Sequence, residues 1–236
     1  MEKAMSAPLL NHLEELRIRI IITGGCFILF FLLSFLIVDQ IYSFLIKDVE
    51  GKLAVLGPGD ILWVYVALAA LASLILTIPI AAYQLWSFVA PALEKQEKRA
   101  TFLYVPVFLL LFVIGLAFGF YIVFPLMMNF LVGIADGQFE TMFTVDRYFK
   151  FLFQATVPLA LFFELPVIVL FLTHLGIINP HQLAAYRKYA YFILIIISVL
   201  ISPPDFLSDV LIIGPLLILY EVSIILSQMV YRRKKN

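Results

Sequence analysis

Six apolar runs divide this chain, and their lengths constrain its fold more than any other feature. They lie at about residues 18–38, 61–83, 101–130, 151–174, 189–202 and 206–226. A run of roughly 18 or more apolar residues is long enough, as a helix, to cross a bilayer. Composition agrees: 64% of the 236 residues are hydrophobic and 14% are charged, where a soluble domain carries roughly a quarter charged residues. The runs predict an all-α membrane protein, one polytopic domain over residues 1–236 with six transmembrane helices. The third run is too long for an untilted span. The fifth would cover roughly 21 Å at the helical rise, short of a hydrocarbon core of about 30 Å. Such a helix must thin the bilayer locally or shelter behind longer neighbours. Asp209 and Glu221 cut into the sixth. Pro79, Pro106, Pro158 and Pro166 fall inside runs, where each removes a backbone donor and tends to kink its helix. Kinked helices of unequal length predict a bowed shape with a concave side.

Charge sets the expected orientation. With both termini in the cytoplasm, the inner segments carry Lys3, Arg17, Arg19, Lys95, Lys98, Arg99, Arg187, Lys188 and the tail Arg232-Arg-Lys-Lys235. The outer segments keep Lys47, Lys52, Arg147 and Lys150. This asymmetry follows the positive-inside rule. Pro203-Pro204-Asp205 reads as a tight turn between the last two spans, and Asn179-Pro180 as a helix cap with proline at the first helical position. The formal net charge is zero, so bulk electrostatics names no nucleic-acid partner. The single cysteine, Cys26, has no internal partner for a disulfide and reads as a small packing residue. The first run lacks the short apolar region and cleavage site of a secretory signal peptide.

Two acidic clusters stand beside the runs on the expected cytoplasmic face. In Asn11-His-Leu-Glu-Glu-Leu-Arg-Ile-Arg19, helical spacing sets Glu15 beside Arg19 and Glu14 beside Arg17, so two solvated ion pairs at a helix foot are the plainer reading. In Phe88-Val-Ala-Pro-Ala-Leu-Glu-Lys-Gln-Glu-Lys-Arg99, Glu94 can pair with Lys98. Glu97 has no opposite charge three or four residues away. Two clusters on one face fit a site for a ligand with adjacent cations, and arginine suits it because its planar fork can bind a carboxylate through two parallel bonds.

Glu164 lies about 13 residues into the fourth run. An ionised carboxylate at that depth is costly, and intramembrane acids are functional candidates by default. A protonated or strongly hydrogen-bonded group is expected there, with the carbonyl of Phe162, freed by Pro166, as a possible neighbour. A structural bond to another helix is the plainer alternative. A proton relay would need further polar groups, and Gln154, Thr156 and Thr173 do not share a helical stripe with Glu164. No nucleotide-binding or hydrolase motif is present, and the three histidines lie at run ends or in loops. Neither catalysis nor a cofactor is expected.

Taken together, His12-Leu-Glu-Glu-Leu-Arg17, Trp86-Ser-Phe-Val-Ala-Pro-Ala-Leu93 with Glu97-Lys-Arg99, Phe163-Glu-Leu-Pro166, Ser202-Pro-Pro-Asp205 and Tyr220-Glu221 closely resemble the TatC component of the twin-arginine protein translocase. The resemblance covers nearly the whole chain. It implies a concave wall of six helices with a short fifth and sixth, in the bacterial inner membrane. It implies a receptor for signal peptides with paired arginines, and export of folded cargo driven by the proton-motive force. Glu15 and Glu97 match the recognition glutamates, Arg17 and Arg99 the basic positions of those motifs, and Phe88 lies in the loop motif. Glu14 and Glu94 are extra acids at variable positions. Glu164 matches the intramembrane glutamate and Asp205 the outer-loop aspartate, where a helix cap explains Asp205 equally well. Implied partners are small single-span TatA- and TatB-type proteins and further copies of the chain. The competing expectation is a proton-coupled transporter of a small solute with Glu164 as proton carrier.

Overall fold

The computed structural model describes residues 2–47, 53–92, 98, 101–135, 142–201 and 206–235, with side chains omitted at 2–13, 92, 135, 206–208 and 233–235. The architecture is helical: α1 Glu2–Ser34, α2 Val38–Leu45, α3 Pro58–Val89, α4 Tyr104–Phe118, α5 Phe124–Ala135, α6 Val145–Phe162, α7 Leu165–His174, α8 Pro180–Ala185, α9 Arg187–Ile201 and α10 Phe206–Lys235. A single parallel bridge, Ala54 to Thr144, is the only β pairing among the described residues. Five stretches are long and apolar enough to cross a membrane: Glu14–Ser34, Pro58–Val89, Tyr104–Ile134, Val145–His174 and Asp209–Arg232. Helix α9, the expected fifth span, has 15 residues, about 22 Å of rise.

The ends of the spans differ from the sequence expectation in instructive ways. The fourth begins earlier, at Val145, because the apolar face of the Val145–Lys150 turn, Val145, Tyr148 and Phe149, is buried. The last helix has 30 residues and runs past the apolar segment to Lys235, since no proline or glycine stops it and a basic last turn suits the negative end of a helix. Pro79, Pro158 and Pro215 do lie inside helices. Pro106 and Pro166 do not. Each falls in the first turn of its helix, α4 and α7, where the missing N–H would have had no partner anyway.

Two spans are broken, and proline is close to both breaks. Between α4 and α5 the chain widens into a π turn, Gly119–Val123, and Phe124 N–H donates to the carbonyl of Gly119, five residues back. Pro125 follows immediately, and its ring and missing donor do not suit a regular α turn. Between α6 and α7, Phe163 and Glu164 form a turn two residues before Pro166. Helix α7 then ends in a Schellman cap. Gly176, at φ 73°, donates to Thr173 O at 3.0 Å, and Ile177 N–H donates to Leu172 O at 3.0 Å. That left-handed position favours glycine. Asn179 then caps α8, its Oδ1 accepting from His181 N–H at 3.0 Å, as its sequence predicts.

The chain forms two compact units, Met1–Glu50 with Leu62–Leu109, and Gly51–Ile61 with Leu110–Asn236. In the first, α1 exposes Ile20, Ile21, Ile28, Leu29 and Leu32, as a helix facing lipid does. Tyr65 of α3 donates to Asp39 of α2 at 2.6 Å. Trp86 Nε1 donates to Thr101 Oγ1 at 3.0 Å, and the Trp86 ring meets Phe102 edge-on at 5.1 Å. In the second unit, Phe112, Val123 and Met127 are buried on one side and Phe149, Leu152, Leu159 and Ala160 on the other. Small residues let these helices approach closely, as is usual in membranes. A Cβ at Gly115 would lie 2.6 Å from the Cα of Ala160, and one at Gly119 2.8 Å from the Cα of Thr156. Backbone cannot yield as a side-chain tip can. Gly115→Ala or Gly119→Ala should therefore each lower stability by about 1–3 kcal/mol, seen as a reduced unfolding midpoint in detergent. Gly133→Ala, where a Cβ meets nothing within 4 Å, should not.

Candidate functional site

The acidic foot of α1 is organised by Arg19. Glu15 Oε1 accepts from Arg19 Nε at 3.2 Å and from Nη2 at 2.5 Å. Nη1 of the same guanidinium donates to Gln84 Oε1 at 3.1 Å and, more weakly, to Gln84 O at 3.4 Å. Nη2 also donates to Ser87 O at 3.2 Å. The expected Glu15–Arg19 pair is thus formed and extended to the last turns of α3. Glu14 and Arg17, expected as a second pair, form none among the described residues, and both are exposed. An exposed pair of long side chains gains too little to hold one geometry. Gln84 and Ser87 entered no sequence motif as ligands of Arg19. The available signal was a lone amide, Gln84, just beyond an apolar run.

Beside this cluster a groove of about 350 Å³ opens between α1 and α3. Leu16, Ile20 and Gly24 line one wall and Ala81, Leu85 and Phe88 the other, with Arg19 and Gln84 at the polar part. Phe88 is half-buried. Helix α3 ends at Val89 and passes into a 3₁₀ turn, Ala90–Ala92, because Pro91 has no N–H to continue the α ladder. The segment that carries the second cluster departs from here. Glu94, Glu97 and Arg99 lie outside the described residues, as does Asp205. The flanks of that segment are tied together by the Trp86–Thr101 bond and the Trp86–Phe102 contact.

Glu164 sits at the α6–α7 turn and is 6% exposed. Neither carboxyl oxygen has a hydrogen-bond partner among the described residues, so of the two expected states, protonated or strongly hydrogen-bonded, the second is not formed there, and Phe162 O does not serve as its neighbour. Its backbone is engaged: Glu164 N–H donates to Leu161 O at 3.2 Å, and Ile168 N–H to Glu164 O at 3.0 Å. The hydroxyls of its span are spent elsewhere. Thr156 donates to Leu152 O at 2.8 Å, Thr173 bonds Val169 O and Ser227 Oγ, both at 2.7 Å, and Gln154 is exposed.

A third polar group joins the last helices. Arg187 of α9 grips Glu221 of α10 with Nε to Oε1 at 2.8 Å and Nη2 to Oε2 at 3.0 Å. Tyr191 also donates to Oε1, and Tyr220 donates to Leu183 O at 3.0 Å. The closing Tyr220-Glu221 of the sequence is therefore a clasp.

Helices of this length and apolarity, carrying isolated polar clusters, define a multi-pass α-helical membrane protein. Comparison with known proteins gives the family. The model for "Sec-independent protein translocase protein (TatC)" matches residues 11–215. Sec-independent protein translocase protein TatCd of Bacillus subtilis (strain 168) is 52% identical over 226 residues, 96% of this chain and 93% of its own. TatCy of the same organism is 42% identical, over 99% and 94%. A solved structure titled "Crystal Structure of Twin Arginine Translocase Receptor- TatC" superposes with TM-score 0.81 at 34% identity, covering 93% of this chain and 99% of that one. The chain belongs to the TatC family.

The Arg187–Glu221 pair is bidentate yet partly exposed, 44% and 34% for the two side chains, so solvent weakens it. A double-mutant cycle with Arg187→Ala and Glu221→Ala should give a coupling of about 0.5–1 kcal/mol, read from unfolding in detergent.

Proposed function

We propose that this protein is the receptor and assembly core of a twin-arginine translocase, with both termini on the cytoplasmic side of a bacterial inner membrane. It binds signal peptides with paired arginines and passes folded cargo outward at the expense of the proton-motive force. The observation that carries this reading is Glu15. Its Oε1 is held by Arg19, which lines the apolar groove, no described residue bonds Oε2, and the side chain keeps 38% exposure. A carboxylate so presented suits a guanidinium, which forms short charge-assisted bonds. The groove suits apolar peptide residues beside the arginines.

In this reading Glu97 takes the neighbouring arginine. Phe88 lines the peptide groove, while Glu14, Glu94, Arg17 and Arg99 set the local field. Glu164 serves a different partner. A buried acid whose oxygens find no bond among the described residues suits a polar side chain on a small single-span TatA- or TatB-type helix, because an unmet polar group in hydrocarbon is costly. Further copies of the chain complete the assembly.

Two experiments test the assignments. A photo-crosslinking peptide with paired arginines should label the wild-type protein and lose that labelling with Glu15→Gln or Glu97→Gln, while a twin-lysine peptide labels poorly throughout. Undiminished labelling of Glu97→Gln would remove that residue from the site. Glu164→Ala should insert at normal levels yet fail in cargo export or in co-purification with single-span partners; wild-type export would refute its role.

A further inference from the structure

We propose that Arg19 is the positioning residue of the receptor site: it fixes the Glu15 carboxylate against the end of α3 and leaves Oε2 for the incoming guanidinium. This rests on the reading of Glu15 as the peptide-binding acid.

An exposed ion pair four residues apart on a helix is weak and mobile. Arg19 is part-buried and bonded on both sides. Its side chain is 18% exposed, and all three of its nitrogens donate, to Glu15 on α1 and to Gln84 and Ser87 on α3. Ser87 lies within three residues of the end of α3 at Val89. Carbonyls there lack helical donors and carry the negative end of the helix dipole, so a cation is favoured on that side as well. The guanidinium is thus anchored from both faces.

Two roles are open to a cation beside a cation-binding acid. It can compete, occupying the carboxylate until the ligand displaces it. Or it can position, fixing the orientation of an acid that it does not fully occupy. Geometry favours the second. Both bonds to Glu15 converge on Oε1, and no described residue bonds Oε2. Displacement would take from a part-buried guanidinium the one carboxylate it bonds among the described residues and leave it only neutral acceptors, which is costly. Lysine cannot substitute, because one nitrogen cannot reach Glu15 and both α3 acceptors in a planar fork.

The roles predict opposite signs. Binding of a fluorescent peptide with paired arginines followed by an apolar run is measured on the full-length protein in nanodiscs, with unfolding midpoints recorded for each variant. If Arg19 positions, Arg19→Lys and Arg19→Gln both weaken binding, by about ten-fold, the scale of one lost charge-assisted bond. Gln84→Met, which removes one anchor and no charge, weakens it a few-fold. In a Glu15→Gln background, Arg19→Gln adds no further loss. Tighter binding by Arg19→Gln, wild-type binding by Arg19→Lys, or additive losses in the double variant would overturn the proposal. Glu15→Gln separates the two readings. Unchanged binding by that variant defeats the receptor assignment itself. Binding lost with Glu15→Gln but insensitive to Arg19 defeats only the positioning role.

Discussion

In hydrocarbon no water satisfies a backbone group that loses its partner, and this decides where these helices bend. A span must keep its bonds within itself or change its pitch to recover them. The third span does so before Pro125, where the π turn moves the Phe124 bond to Gly119. The fourth does so before Pro166, where Phe163 N–H still finds Leu159 O at 3.0 Å and Glu164 N–H finds Leu161 O at 3.2 Å. Both breaks belong to the same packed layer. Gly115 and Gly119 lie against Ala160, Phe163 and Thr156, and Phe118 meets Phe163 at 5.6 Å. The irregular backbone is therefore buried against neighbouring helix, the condition under which a membrane tolerates it.

The same constraint sorts the charged groups. Arg19 has acceptors on two helices, and Arg187 and Glu221 have one another and Tyr191. These are settled, and their work is to join elements: α1 to α3, and α9 to α10. Glu164 is the exception among the described buried acids, with its backbone satisfied and its carboxyl not. The threonines of its span bond their own helix, and Thr173 also bonds Ser227, so they offer no path for a proton to or from it. On the proposed reading that arrangement suits docking, and these hydroxyls do not form the relay that a small-solute transporter would need.

Much of this was legible in the sequence, because membrane spans are written as long apolar runs. Span existence and order, the shortness of α9, the Asn179 cap and the Glu15–Arg19 pair all follow from period, length and helical spacing. Span ends were less legible. Nothing in Val145–Lys150 marks its polar residues as part of a buried turn, and the basic tail gives no stop signal for α10. Pro166 does mark a break in its span, whereas Pro106 does not, since sequence shows that a proline lies in an apolar run but not that a helix begins there. The π turn was hidden because Pro125 acts on residues before it. The anchoring of Arg19 was hidden because Gln84 and Ser87 lie more than sixty residues away, and local spacing sees only partners one turn apart. The proposed recognition residues came from resemblance to a family, where pattern alone had favoured a solvated helix foot.

Two glutamates of this chain thus present two chemistries. Glu15 keeps one oxygen without a bond among the described residues at 38% exposure, and its partner cation is already fixed behind it. On the proposed reading a ligand that arrives from water loses little hydration before it meets such a group, which suits a doubly charged peptide. Glu164, at 6% exposure, could accept a charged ligand only at the full desolvation cost, and a neutral donor on a helix already within the bilayer meets it far more cheaply. On the proposed reading, then, exposure rather than charge separates the peptide site from the partner site: both are carboxyl groups, and their surroundings decide what each can bind.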